Sequence, residues 1–212
     1  AAVGLFVIGS VWSTVAYDPL WVRNPARPYV TTLEREAAAM PQTTMLADAA
    51  VPEEVAWGLI GPYNRLSRMT SPFLPADRVL TPGEAGPSIA LPDASGRLDV
   101  ASVSGVRAAP GPTPGCGWRL GPTRTEVPLV SRAPDPVAVI RMGYIADHAT
   151  TLTVRAGRTS LPVPVSEGLG TAFVAVVGPV DALTVEPTGD TTTVCTDDVT
   201  VGAPVGLPGT SP

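Results

Sequence analysis

Short apolar or alternating runs, separated by turn signals, fill the second half of the chain. In the run from Thr151 to Val154 the pattern alternates cleanly, which predicts a strand with Leu152 and Val154 on its buried face. Runs of this kind at close intervals are typical of an antiparallel β-sandwich. They predict strands over residues 98–106, 127–130, 137–145, 151–155, 161–165, 171–177, 182–186 and 193–201.

Helical periodicity is confined to a region near residues 22–74. Asn24 is a good helix cap and Pro25 suits the first helical position, so a helix is predicted to begin here and to end at Pro41. Its apolar face is formed by Tyr29, Val30, Leu33, Ala37 and Met40. A short strand over 44–47 follows, and a second brief helix is predicted to begin near Pro52 and to end at Gly61-Pro62.

The remaining segments divide the chain into four parts. Residues 1–21 begin with fifteen almost wholly apolar positions, which are either a buried first strand or the exit of a membrane helix. Residues 22–95 form a small α+β region that ends in a loop or linker over 75–95, where Pro-Gly and Gly-Pro pairs recur. Residues 96–202 form the sandwich, and residues 203–212 a flexible tail. The predicted class is mainly β: an antiparallel, jelly-roll-like β-sandwich with a small helical N-terminal region.

The composition supports this fold class and excludes one class of binding partner. The chain contains 25 Pro and 21 Gly in 212 residues, which favours short strands and tight turns over long helices. All fourteen basic residues are Arg, and the net charge is −5. A nucleic-acid partner is excluded, because phosphate binding needs a basic surface.

Two cysteines, Cys116 and Cys195, stand far apart without a zinc-ligand spacing. They are either free buried thiols or a disulfide, and the disulfide is the favoured alternative. A bridge of this length stabilises a fold by about 4 kcal/mol in the chain-entropy model. It would also place the domain outside the cytoplasm.

No catalytic motif stands out. The chain has no Gly-x-Ser-x-Gly elbow and no phosphate-binding glycine loop, and its one histidine, His148, is predicted to lie in an exposed loop. We therefore expect a non-catalytic chain without a cofactor. Asp197 and Asp198 are weak candidates for a structural calcium site, since calcium prefers carboxylate oxygens. In a regular strand they would point to opposite faces, with Asp198 on the face of Val194 and Thr200.

Sugar binding needs ring faces and planar polar groups. The candidates in this sequence are Trp118, Tyr144, Arg141, Trp57 and Tyr63. Trp118 follows a turn-rich stretch beside Cys116, so it is either displayed to solvent or packed against the disulfide. Arg141 alternates with Val139 and Gly143, so it emerges on a sheet face as a ligand contact or as an ion-pair partner.

Four phrases carry a family resemblance: residues 21–29, 62–67, 141–144 and 194–202. Together they resemble the C-terminal extracytoplasmic region of large actinobacterial polytopic membrane proteins similar to GT-C-type glycosyltransferases, which use lipid-linked sugars. Similar arabinosyltransferases have soluble C-terminal domains that are sandwich-like and can bind carbohydrate. In GT-C enzymes the catalytic carboxylate lies in an early loop of the membrane part, so the resemblance assigns no catalytic residue here.

These observations lead to two functional hypotheses. In the first, the chain is an accessory domain of a membrane-bound cell-envelope glycosyltransferase that binds a cell-wall or lipid-linked glycan acceptor. In the second, it is a structural or protein-interaction domain that packs on its own transmembrane region. Both hypotheses place the chain at the extracytoplasmic face of the membrane. A soluble hydrolase ranks far lower, because no nucleophile–base set is visible.

Overall fold

The structure, a computed structural model, describes residues 24, 26–56, 64–121, 123–188 and 193–207. Two helices, α1 (Ala26–Ala39) and α2 (Leu66–Thr70), and one 3-10 turn (Ala76–Arg78) lie in the first part of this region. The strands are β1 (Thr44–Ala47), β2 (Val79–Leu80), β3 (Ala85–Gly86), β4 (Ser88–Pro92), β5 (Leu98–Arg107), β6 (Trp118–Leu120), β7 (Thr125–Ala133), β8 (Val137–Ala146), β9 (Thr150–Ala156), β10 (Thr159–Val165), β11 (Gly168–Val177), β12 (Val180–Pro187) and β13 (Val194–Gly206). The predicted class is confirmed: the protein is a mainly β sandwich with a small α+β N-terminal region.

Two sheets form the sandwich. The larger has the order β2-β1-β4-β5-β13-β8-β11-β3, with β6 paired to the side of β13, and the smaller has the order β10-β9-β12-β7. Pairing is antiparallel except around β1, which is parallel to both β2 and β4. The large sheet is therefore mixed rather than purely antiparallel.

The face of the large sheet that meets the small sheet, here called the inner face, is covered by one continuous apolar core. Alternate residues of β8, β11 and β13 point into it and meet apolar residues from all four strands of the small sheet. Ile140, Leu152, Val174, Leu183 and Val201 are among its members, each at most 1% exposed. Period-2 alternation in the sequence found these positions because it follows directly from the strand pleat.

The opposite face of the large sheet, here called the outer face, is covered by the N-terminal region over part of its area. A second core contains α1, β1, β2 and β4 together with three outer-face residues of β8 and β11, namely Val139, Phe173 and Ala175. Tyr29, Leu33 and Ala37 supply the buried side of α1, as the helical period predicted. Asn24 caps this helix, since its Oδ1 accepts a hydrogen bond from the backbone N–H of Ala26 at 2.9 Å.

All eight strands predicted for residues 98–201, and the short strand over 44–47, are present, and several extend one to five residues further. Two other predictions were wrong. Residues 75–95 are not a structureless linker, since β2, β3 and β4 lie there and β4 continues the sheet beside β5. Residues 203–206 do not belong to a loose tail, since they continue β13 and pair with β5.

The second predicted helix is described only at its start. The backbone N–H groups of Val55 and Ala56 donate to the carbonyl of Pro52 at 3.0 and 3.1 Å, which forms one turn over 52–56. Its predicted end at Gly61-Pro62, and the apolar segment 1–21, lie outside the described residues. None of the helices in the described ranges is long and apolar enough to cross a membrane.

Candidate functional site

Beyond the N-terminal cover, the outer face of the large sheet is open across three strands. The outer positions of β8 pass from buried Val139 through half-buried Arg141 and Gly143 to exposed Ile145. Neighbouring strands add Leu169 and Thr171 from β11, which pair in register with Ile145 and Gly143. This strip of sheet is the floor of a cleft.

A β-bulge in β13 forms one side of this floor. Cys195 pairs with Ile145 and Asp198 pairs with Gly143, so β13 uses one residue more than β8 between these two pairs. Val194 and Val199 consequently share the inner core although they are an odd number of residues apart. The predicted strict alternation was wrong here, and Asp198 lies on the face of Cys195 rather than on that of Val194.

The bulge also exposes both carboxylates. Asp197 and Asp198 are solvent-exposed, and both line the cleft instead of dividing between the two sheet faces. Arg141 Nη1 donates a hydrogen bond to Asp198 Oδ2, and the two side chains remain 27% and 50% exposed. The ion-pair interpretation of Arg141 is therefore what the structure shows, in a position where the guanidinium still reaches the cleft.

The loop between β5 and β6, residues 108–117, is tied to β13 through Cys116 and forms a wall of the cleft; it is here called the disulfide-tethered loop. Cys116 and Cys195 are bonded, with 4.9 Å between their Cα atoms and a sequence separation of 79. The favoured alternative for the two cysteines is thus confirmed. Within the loop, Gly117 adopts a φ of +65° and lies so close to β13 that a Cβ would stand 2.7 Å from the carbonyl oxygen of Thr196. Only glycine allows this close approach.

The cleft has a volume of about 390 Å³ and is lined by both polar and apolar groups. Arg141, Asp197 and Asp198 supply charges on one side, and Ile145 and Leu169 supply apolar surface on the other. Leu169 is 85% exposed and Ile145 is 56% exposed, an unusual degree for large apolar side chains on adjacent strands. The size lies within the range of about 300–1,000 Å³ typical of small-molecule sites.

Trp118 is half-buried. It begins β6, packs against the inner core, and its indole N–H donates to the carbonyl of Ala109 at 2.9 Å. The side chain is therefore packed against the core over part of its surface, and packing against the disulfide itself stays a prediction. The indole bond to Ala109 holds the start of the loop to Trp118, which itself pairs with Thr196 of β13. Trp118 is not among the residues that line the cleft.

Tyr144 also belongs to the inner core. It is 6% exposed and pairs in register with Gly170, where a Cβ would stand only 2.4 Å from the ring. Its hydroxyl accepts a hydrogen bond from the backbone N–H of Ser166 at 3.1 Å. The ring thus packs against a glycine of its own sheet, and Tyr144 is at the same time one of the residues that line the cleft. Its role as a sugar contact stays a prediction.

The other sequence candidates contribute little to this site. Trp57 and Tyr63 lie outside the described residues. His148 is exposed in the turn between β8 and β9, as predicted. Within the described ranges no group of three or more His, Cys, Asp or Glu side chains is placed to hold a metal ion, so calcium at Asp197 and Asp198 stays a prediction.

Sequence reasoning missed the apolar half of the cleft. Ile145 and Leu169 look like ordinary core residues in a β-rich chain, and only the sheet register brings them side by side in solvent. One signal was present: Ile145 occupies the same alternating set as Arg141, so it lies on a strand face that also carries a charged residue. An apolar residue on the same strand face as a charged one is a candidate for exposure.

Fold and cleft together define a disulfide-bonded β-sandwich with a mixed polar and apolar cleft on the outer face of its larger sheet. Neither the scan against protein-family models nor the search of curated proteins finds a match to this chain.

Proposed function

We propose that this chain is a non-catalytic accessory domain of a membrane-bound cell-envelope glycosyltransferase, and that its cleft binds part of a glycan acceptor. The observation that carries the proposal is the Arg141–Asp198 pair beside exposed Ile145 and Leu169 on one flat floor. A sugar ring presents hydroxyl groups at its edge and C–H groups on its faces. A guanidinium with five donors and a carboxylate with several acceptor sites suit the edge, and the apolar pair suits a face.

The extracytoplasmic location is supported by the disulfide, because such bonds persist in oxidising compartments. The glycosyltransferase context is supported by the resemblance of four sequence phrases to C-terminal regions of similar membrane proteins. Physically, a weak glycan site beside a membrane active centre raises the local concentration of the acceptor, which requires only low affinity. The proposed partners are a cell-wall or lipid-linked glycan and the transmembrane region of the same protein.

A second function is favoured by a different feature of the same cleft. The large apolar side chains that are exposed in the described part of the chain include Leu169 and Ile145, but none of them is aromatic. An exposed apolar pair of this kind is also what a protein contact uses. The alternative is therefore a structural domain that packs these residues on its own membrane portion.

Ligand-observed NMR separates the two. The 212-residue chain is titrated with arabinan, galactan and mannan oligosaccharides, with and without calcium. We expect saturable transfer from the protein to one of these glycans. The Arg141→Gln variant should bind it about tenfold more weakly, since a hydrogen bond to a charged group contributes about 1.5 kcal/mol.

Arg155→Gln is the matched control, because Arg155 also pairs with a carboxylate, Glu186 at 3.3 Å, but on the small sheet. It should leave glycan binding unchanged. Silence across the panel at millimolar glycan would reject the carbohydrate proposal and leave the structural domain as the better account. A loss of binding in both variants would show that any charge change weakens glycan binding. It would reject the assignment of the glycan site to the cleft.

A further inference from the structure

A second cleft adjoins the first on the other side of the β13 bulge. Its volume is about 520 Å³, and it lies between the end of β5, the disulfide-tethered loop and residues 197–199. Gly115, Asp197 and Asp198 line both clefts. The two spaces therefore meet at the bulge, beneath the tip of the loop.

Arginines stand on both sides of this junction. Arg107 at the end of β5 pairs in register with Thr200, and Thr200 pairs with Arg141 on its other side. The three residues form one row across the outer face. Arg107 is exposed, lines the second cleft, and makes no ion pair within the described ranges. Its guanidinium donors are consequently available to a ligand.

The charges of the combined surface cancel. Two guanidinium groups, from Arg107 and Arg141, stand beside two carboxylates, from Asp197 and Asp198. An anionic ligand that crossed the junction would approach both carboxylates, and a cationic one would approach both guanidinium groups. An uncharged polyol meets neither penalty and can both donate to the carboxylates and accept from the guanidinium groups.

We propose that the two clefts form one groove that binds an uncharged glycan chain, which lies across the Asp197–Asp198 bulge with one end at Arg141 and the other at Arg107. This inference rests on the proposed function and extends it to a ligand class. Each cleft alone falls within the size range of a small-molecule site of about 300–1,000 Å³. A chain of several sugar units occupies both, and the second contact is intramolecular once the first has formed.

The test is a length series. Uncharged arabinan, galactan and mannan oligosaccharides, each from the disaccharide to the octasaccharide, are titrated into the 212-residue chain and followed by NMR, and affinities are compared by length for the glycan that binds. We expect the octasaccharide to bind at least about tenfold more tightly than the disaccharide, because linked contacts raise the effective concentration. Arg107→Gln should remove most of that gain and leave disaccharide binding at the first cleft unchanged. Arg68→Gln, at another exposed arginine on α2, should leave both affinities unchanged.

The possible results are distinguishable. Equal affinity at every length, or no effect of Arg107→Gln while Arg141→Gln still weakens binding, would overturn the groove and keep the proposed function. Tighter binding of a carboxylated oligosaccharide of equal length, such as an oligogalacturonide, would overturn the assignment to uncharged glycans. No binding of any oligosaccharide in the series would overturn both the groove and the proposed function.

Discussion

The two faces of β8 are made by alternate residues of one strand, yet they differ in what covers them. On the inner face Ala138, Ile140, Met142, Tyr144 and Ala146 are all buried against the small sheet. On the outer face only Val139 is buried, and the next three positions, up to Ile145, are half-buried or exposed. The inner face is uniform along the strand, whereas the outer face is buried only at Val139, with exposed Val137 before it and the open strip after it.

This difference shows that cover, and not strand propensity, determines the chemistry of a sheet face. Where the N-terminal region packs on β8 and β11, the outer residues are Val139, Phe173 and Ala175. Where that cover ends, the outer residues of β8 are Arg141, Gly143 and the exposed Ile145. A mixed surface on an otherwise regular sheet arises at this boundary, and the candidate cleft occupies it.

Removing the disulfide is the largest perturbation of the part of the outer face that the N-terminal region leaves uncovered. Reduction, or the double substitution Cys116→Ser with Cys195→Ser, should lower the free energy of unfolding by about 4 kcal/mol. The reason is that the bond closes a long loop in the unfolded chain. Urea denaturation of the oxidised and reduced chains measures this difference, and the inner core should still fold.

Treating the double variant with the same reductant is the control, since it has no bond left to break. Its stability should not change. If reduction of the native chain also left the unfolding free energy unchanged, the loop would not be a constraint on the outer face. The difference between the faces would then depend on the N-terminal cover alone.

A matched pair of isoleucines on β8 measures the two faces directly. Ile140 is 1% exposed on the inner face, and Ile145 is 56% exposed on the outer face. Ile140→Ala should lower the free energy of unfolding by about 3 kcal/mol, because it leaves a cavity among tightly packed neighbours. Ile145→Ala should change it by less than about 0.5 kcal/mol. Denaturant titration of both variants tests the contrast.

Repeating the titration at several protein concentrations guards against self-association. Similar losses for the two variants would contradict an open outer strip, since only a covered Ile145 could cost as much as Ile140. A cost for Ile145→Ala that grows with protein concentration would mean that a second copy covers the cleft.

The strands of the sandwich were predictable from sequence because their signal is local. The alternation around Leu152 and Val154 follows from the strand pleat, and the helical face of Tyr29, Leu33 and Ala37 follows from the helical period. Neither signal depends on knowing what packs on top. The preference for a disulfide over free thiols was also correct, although spacing alone could not exclude the thiols.

What failed depended on distant parts of the chain. The bulge between Cys195 and Asp198 is set by the register with β8, which no local period reveals. The linker prediction for 75–95 followed its Pro and Gly residues, yet β2 and β4 form there because β1 offers parallel edges to both. Trp118 and Tyr144 were selected as sugar contacts for their aromatic character, which does not reveal that both pack against the inner core and that only Tyr144 also lines the cleft.

The smallest expected effect tests the covered half of the outer face. Tyr29 of α1 is 2% exposed, and its hydroxyl has no hydrogen-bond partner among the described residues. Tyr29→Phe should therefore leave the free energy of unfolding unchanged at neutral pH or raise it by up to about 1 kcal/mol, since it removes an unsatisfied buried group. Burial, together with the nearby charge of Asp93, raises the pKa of Tyr29 from 10.0 to about 12.

Because of this shift, the native chain should lose stability at alkaline pH in a way that the variant does not. Between pH 10 and about 12 the folded state keeps the Tyr29 proton while the unfolded state releases it, so stability falls as pH rises through this window. Urea denaturation of both proteins across that window measures the difference, and tyrosinate absorbance of the folded chains locates the pKa. If the two proteins lost stability in parallel, Tyr29 would be solvated. The N-terminal region would then cover its part of the outer face less completely than the small sheet covers the inner face.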